Sequence, residues 1–273
     1  MMTRTPLVSV VIPVYNGEQY VASCLENMMS QSYENMEIIV VDDGSTDHSA
    51  EIARKYPVKL ISHERNRGLS AARNTGIDSA QGEYIHFMDV DDGVNRDYYR
   101  EMVKAAAETG ADMACGGMLN EKYRTKTQLF SERRVYTSAK DRLKATYVGK
   151  WGYVWRYLFR LDFLRQHAFR FEEGRLIEDM LFSLSAVYCA QKLVVVPNTK
   201  YLYYNRENSI MNKRDERHRK KRRSDWIHTK TFRDDFSAKN GIKLPGVNTG
   251  RIAYIIRKLS AMICYRGNYF NKL

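Results

Sequence analysis

Three carboxylates fall within four positions at the end of residues 84–92 (YIHFMDVDD): Asp89, Asp91 and Asp92. Carboxylates this close repel one another unless a cation lies among them. The residues before them, Tyr84, Ile85, Phe87 and Met88, suit a buried strand, and open α/β sheets take their ligands beyond the C-terminal ends of such strands. If the strand persists, alternation puts Asp89 and Asp91 on one side. Two carboxylates with room for water and phosphate oxygens suit Mg2+ or Mn2+. The same residues also read as an acidic turn whose Asp92 caps the next helix. A second acidic pair, Glu178 and Asp179, precedes the apolar run 180–190. Taken alone, that pair reads as a first helical turn whose charge complements the helix dipole.

Groups like these need elements to hold them. Residues 7–13 (LVSVVIP) form a continuous apolar, β-branched run, as expected for a strand buried on both faces of a parallel sheet. Residues 36–41 (MEIIVV), 58–61, 84–88 and 113–117 read as further strands, and 19–30, a stretch ending at Lys55, 69–80 and 95–109 as helices between them. The turn 42–47 (DDGSTD) follows the second strand at once, with Gly44 permitting a tight bend. Strand–helix alternation with short connections predicts a mostly parallel, Rossmann-like α/β sheet flanked by helices. Right-handed crossovers then gather Tyr15, Asp42, Asp43, residues 65–74 and Asp89–Asp92 along one edge. No Gly-x-Gly-x-x-Gly follows the first strand and no glycine loop ends in Lys-Ser/Thr, which argues against a dinucleotide dehydrogenase and a P-loop enzyme.

Past Leu119 the periodicity weakens. Residues 123–136 are polar and read as a hairpin or loop, 151–164 are densely aromatic, 180–190 read as a helix, and 193–197 and 201–204 as two strands. Residues 213–223 carry eight Lys/Arg against two acids, and Ile252, Ile255, Ile256, Leu259 and Ile263 form a helical stripe. The division expected is 1–210 as one domain (1–118 and 119–210 as its halves) with a basic, helical extension over 211–273. Charge is unevenly spread: residues 1–110 hold 10 Lys/Arg and 17 Asp/Glu, and residues 111–273 hold 34 and 15. The first part suits a site that holds cations, the second a surface that meets anions. Four scattered cysteines without metal or redox spacing, and a start without signal-peptide layout, predict a cytoplasmic protein.

The segments VSVVIPVYNGEQYV, IIVVDDGSTD, NRGLSAARNTG, YIHFMDVDD and IEDMLF stand in one order, and with them the chain resembles the family-2 glycosyltransferases of the GT-A fold, over roughly residues 8–209. The resemblance implies transfer of a sugar from a nucleotide sugar, a UDP-sugar in this reading, to an acceptor hydroxyl with inversion, in bacterial cell-surface polysaccharide synthesis. It implies Mn2+ or Mg2+ on Asp91, with Asp89 near the ribose or metal. Asp43 would accept from the base or ribose, and Pro13 and Tyr15 would line the nucleotide pocket. Asp179, in its pair with Glu178, would be the catalytic base. Arg206 and Ser209 would close over the diphosphate. Asp42 has two readings, a donor contact or a brace for its loop. Arg73 and Asn74 likewise either touch the donor or hold a helix start. Trp151, Tyr153 and Trp155 are core residues or a sugar-stacking surface.

The chemistry agrees with these roles. A diphosphate leaving group gains negative charge, which a divalent ion and a nearby arginine stabilise. An acceptor hydroxyl needs a carboxylate to take its proton. The acceptor expected is a glycan or a lipid-linked glycan, reached through peripheral contact of the basic residues and the 251–266 stripe with an anionic membrane. The stripe has a second reading, as core packed on the catalytic domain. Nucleic acid is not an expected partner. The alternatives are a non-catalytic anion- or nucleic-acid-binding protein on the same fold, against which the intact acids speak, and a nucleotide-sugar hydrolase.

Overall fold

The computed structural model describes residues 5–121, 127–206, 215–245 and 247. Ser209, Lys213, Arg214 and the 251–266 stripe lie outside the described residues.

Strand β1 (Val8–Val14) is buried along its whole length, and its side chains alternate between two cores. Val8, Val10, Ile12 and Val14 face one core together with Val21, Leu25 and Met28 of α1 (Glu18–Met29) and Tyr98 and Met102 of α4 (Tyr98–Thr109). Val11 faces the other, with Ala72 and Ile77 of α3 (Leu69–Ser79) and Phe182 and Leu184 of α7 (Glu178–Cys189). A strand with both faces covered has no polar side, so its sequence reads as a solid apolar run. The fit is close where α3 crosses β1: a Cβ on Gly76 would stand 2.2 Å from Val11 Cγ1.

The remaining strands are β2 (Met36–Asp42), β3 (Lys59–Ser62), β4 (Tyr84–Phe87), β5 (Gly93–Val94), β6 (Met113–Asn120), β7 (Arg134–Tyr136), β8 (Tyr157–Arg160) and β9 (Leu193–Tyr203). Their order is β3-β2-β1-β4-β8-β6-β9-β5, with β7 also on β9. The first four are mutually parallel. β8 runs antiparallel between β4 and β6, and β6 and β9 are parallel. β5 and β7 are antiparallel to β9. The expected α/β sheet flanked by helices is therefore present, parallel over β3-β2-β1-β4 and mixed beyond. The described helices are completed by α2 (Ser49–Ala53), α5 (Ala139–Thr146), α6 (Leu161–Gln166) and α8 (Glu216–Lys239).

Several elements differ from expectation. The aromatic stretch 151–164 contains β8, an antiparallel strand set into the middle of the sheet. Tyr157, Leu158 and Phe159 are all buried, so no alternation marks the strand. Residues 193–203 form one strand rather than two. The pairing passes from Gly116–Val196 to Gly117–Lys200, so β9 bulges over 197–199, where Asn198 has φ +62°. Helix α4 starts at Tyr98, later than residue 95, and α7 starts two residues before 180. Part of the expected hairpin over 123–136 is β7. Of the extension, α8 packs on the protein through Asp225, Thr229, Asp234 and Ser237. No helix of the described residues is long and apolar enough to cross a membrane.

Candidate active site

Strand β4 ends at Phe87, and the last sheet contact is the Met88 amide donating to the Val11 carbonyl at 2.9 Å. The chain then turns: the Asp92 amide donates to the Asp89 carbonyl at 3.2 Å. Asp89 and Asp91 are thus brought together by a tight turn, and strand alternation does not place them. The Tyr204 amide donates to Asp92 Oδ1 at 2.9 Å, and the Asp89 amide to Tyr201 Oη at 3.2 Å. Asp92 therefore ties the turn to the end of β9; the cap position of α4 belongs to Asp97. Arg206 donates from Nη2 to the Asp91 carbonyl at 3.3 Å, with its guanidinium over Tyr20 and Tyr204.

Arg73, a candidate from the sequence, has partners that the sequence does not show. It lies on α3 and its side chain is 1% exposed. Nη2 donates to Asp89 Oδ1 at 2.8 Å, and Nη1 donates to Glu178 Oε1 at 2.7 Å and to Asp179 Oδ1 at 2.5 Å. One guanidinium thus joins the acidic turn of one half to the acidic pair of the other, across more than a hundred residues of chain. Asn74 clamps the backbone of Phe171, donating Nδ2 to its carbonyl at 3.0 Å and accepting its amide at 2.9 Å. Both residues hold protein to protein. The Val154 amide stands 3.5 Å from Asp179 Oδ2. A Cβ on Gly152 would lie 2.5 Å from Met180 Cα, so the aromatic segment runs directly over the start of α7.

That segment supplies a wall of rings that the sequence showed only as aromatic density. Trp155 stacks on Tyr201 at 4.0 Å and on Tyr153 at 4.9 Å, and Tyr203 lies parallel to Trp155 at 5.8 Å. Tyr153, Trp155 and Tyr203 line a small cavity with Met118 and Asn120. Trp155 is buried, whereas Trp151, Tyr153 and Tyr203 keep part of their surface.

On the other side of β1, Pro13 is buried in the strand and Tyr15, just past its end, is 46% exposed. Asp42 Oδ1 accepts from the Ser45 amide at 3.1 Å, the bracing role. Both oxygens of Asp43, expected to accept from a base or ribose, also hold the neighbouring loop. Oδ1 lies 2.6 Å from His63 Nδ1 and accepts the Arg67 amide at 2.9 Å, and Oδ2 accepts the Gly68 amide at 2.7 Å. Asp43 therefore shapes the loop that leads into α3 and Arg73. Gly44 has φ +72°, and a Cβ there would lie 2.5 Å from the Arg65 carbonyl carbon, so only glycine lets this loop rest on the turn.

Burial, then repulsion from Asp89, raises Asp91 to about 6. Asp92 is also raised, by burial and by Asp89 and Asp91, and its Oδ2 is buried without a hydrogen-bond partner. Burial and Asp179 raise Glu178 to about 7 against the pull of Arg73. Burial raises Asp179 as well, again opposed by Arg73. Burial disfavours the charge on Arg73, but Asp179, Asp89 and Glu178 together hold it well above its usual value. Crowded, hard oxygen donors of this kind fit Mg2+ or Mn2+. Among the described residues no three His, Cys, Asp or Glu side chains form a complete metal cage.

The raised acids make a prediction about stability. An acid raised by folding holds its proton more tightly in the folded state. Its contribution to stability is full below the ordinary carboxylate range and is lost as pH rises through the folded value. Asp91 and Glu178, at about 6 and about 7, therefore make the metal-free protein less stable between about pH 5 and pH 8. Each such shift corresponds to at most about 3 kcal/mol. Asp91→Asn should raise the melting temperature in EDTA by a few degrees near pH 8 and much less near pH 5. Scanning calorimetry at both pH values checks this, and an unchanged or lower melting temperature for the variant at the higher pH would contradict it.

Three comparisons bear on this site. The profile of glycosyl transferase family 2 matches residues 9–166, more than half of the chain. The chain is 33% identical over 216 residues to the uncharacterized glycosyltransferase EpsJ of Bacillus subtilis, covering 75% of this chain and 63% of that protein. It is 31% identical over 220 residues to the succinoglycan biosynthesis protein ExoO of Rhizobium meliloti, covering 76% and 63%. It spans less than two thirds of either relative. Among solved structures, S. aureus TarS 1–349 in complex with UDP-GlcNAc superposes with a TM-score of 0.69 at 24% identity, over 92% of this chain and 79% of that one.

Proposed function

This chain belongs to glycosyl transferase family 2, with the GT-A fold, and we propose that it transfers a sugar from a nucleotide sugar to an acceptor hydroxyl. The observation that carries the reading is the Arg73 bridge between Asp89 and Asp179. Inverting transfer needs a base across the sugar ring from the departing diphosphate, and in this reading the bridge would hold Asp179 opposite the acidic turn that meets the diphosphate. A UDP-sugar donor is supported by the UDP-GlcNAc complex of TarS, and a polysaccharide role by the name of ExoO.

In this reading Asp179 accepts the acceptor's proton. Its raised affinity for a proton suits that role, since a base is most effective when its pKa approaches the working pH. Glu178, raised to about 7, takes up a proton readily near neutrality, which eases the crowding of charge in the pair. Asp91 with Asp89 would hold Mg2+ or Mn2+, which supplies positive charge to the leaving diphosphate. Arg206, beside Asp91, adds a fixed cation at the same end. Tyr153 and Tyr203 offer ring faces to a sugar between the two acidic groups. The exposed Arg219, Lys220 and Arg223 of α8, with Trp226 at 51% exposure, form a surface suited to an anionic membrane carrying a lipid-linked acceptor. Titration calorimetry with UDP in the presence of Mn2+ or of EDTA tests the donor side: binding that depends on Mn2+ is expected.

A further inference from the structure

Helix α7 begins with the two acids of the site, yet nothing local caps it. Ile177 occupies its cap position with φ −132° and ψ 49°, and no side chain there accepts a hydrogen bond. A helix start usually relies on a capping side chain to fix the entering chain. Here α8 fixes it instead. Asp225, whose side chain is 3% exposed, accepts the Leu176 amide at 3.1 Å, Arg175 Nη1 at 3.1 Å and Lys221 Nζ at 2.9 Å. One turn along, Thr229 Oγ1 donates to the Ile177 carbonyl at 3.2 Å. Lys221 Nζ also donates to the Gly174 carbonyl at 2.5 Å, and His228 Nε2 lies 2.9 Å from Glu172 Oε2. At its other end the same loop is clamped through Phe171 by Asn74. The inward face of α8 therefore spends a buried, charged residue on the backbone leading into Asp179. A helix that merely filled space would cover that loop at less cost with an apolar residue.

We propose that Asp225 and Thr229 are positioning residues for the transfer reaction: through the 172–177 loop they hold the start of α7 so that Asp179 meets Arg73 and the acceptor. This rests on the reading of Asp179 as the base. Misplacing a catalytic group by about 1 Å can cost about a hundredfold in rate. Asp225→Ala is therefore expected to lower kcat by about 10–100-fold while donor KM and UDP affinity stay within about twofold. Asp225→Asn, which can still accept the Leu176 amide, should recover part of the loss, and Thr229→Val should show a smaller loss of the same kind.

Turnover is followed as UDP release from UDP-glucose, UDP-galactose and UDP-N-acetylglucosamine with water in the acceptor's place, Asp179 taking the water's proton and the sugar leaving as the free sugar, and amide hydrogen exchange is followed over 172–180. Faster exchange confined to that segment supports the proposal. Exchange at the parent's rate in Asp225→Ala overturns it, as does an unchanged kcat, or a fall in kcat matched by lost UDP affinity and a lower melting temperature. Asp179→Asn run in parallel separates the two ideas. If that variant turns over like the parent, the base assignment falls. If it is inactive while Asp225→Ala is not, only the positioning role falls.

Discussion

Asp179→Asn is expected to bind UDP as the parent protein does and to lose transfer by about 10²–10⁴-fold in kcat. The interaction removed is proton acceptance, used only in the transition state, so donor affinity should not move. The fold should survive: Asn keeps the volume of Asp, and Arg73 retains Glu178 and Asp89 as partners. Asp179 is also the better placed of the two acids. Its side chain is 21% exposed against 3% for Glu178, so an acceptor hydroxyl can reach it. Glu178→Gln should accordingly keep most of its turnover, because the Glu178 side chain is buried away from any acceptor and Gln can still accept from Arg73. Steady-state rates and UDP titrations of the two variants decide the matter. An inactive Glu178→Gln beside an active Asp179→Asn would transfer the role to the neighbour.

Arg73→Met should be the most destabilising of the substitutions at the site. It leaves Asp89, Glu178 and Asp179 without their shared cation, and stranding buried charge by removing one partner costs about 3–5 kcal/mol. For a chain of this size that corresponds to a fall of roughly 10 °C in melting temperature. The deficit should shrink as pH falls toward about 5, because each stranded acid is relieved by taking up a proton. Arg73→Lys should not restore activity, since one ammonium cannot reproduce a fork whose two ends reach carboxylates on separate halves. Calorimetry across pH and the kcat of the Lys variant check both statements. A melting temperature near the parent's at about pH 8 for Arg73→Met would mean that the bridge contributes nothing to the fold.

The sequence made the catalytic sheet legible because β1, β2 and β4 are apolar on both faces and end in turns whose residue types are specialised. It made the acids legible because three of them crowd into one turn. What it could not show follows from distance along the chain. Arg73 reads as a donor contact or a hold on a helix start, and its partners Glu178 and Asp179 reach it only on folding. The contacts of Asp43 with the 63–68 loop are equally invisible in the sequence, because His63 and Gly68 reach it only on folding. Strand β8 lacks alternation because both its faces are buried, and its antiparallel direction interrupts the βα order on which the reading rested. The bulge in β9 depends on its pairing with Gly116 and Gly117, which no local pattern reports. Asp225, in a helix dense with basic residues, reads as a solvated charge and is in fact buried against the loop before α7.

The most direct test of the account is titration calorimetry of UDP into the parent protein and into Asp91→Asn, each with Mn2+ and with EDTA. The account predicts that the parent binds UDP with Mn2+ present and loses at least about tenfold in affinity, about 1.4 kcal/mol, in EDTA. Asp91→Asn should show the weaker affinity under both conditions. UDP binding that is equal in all four titrations, or matched by an unrelated polyanion, would contradict a metal-assisted nucleotide-sugar site at the end of β4.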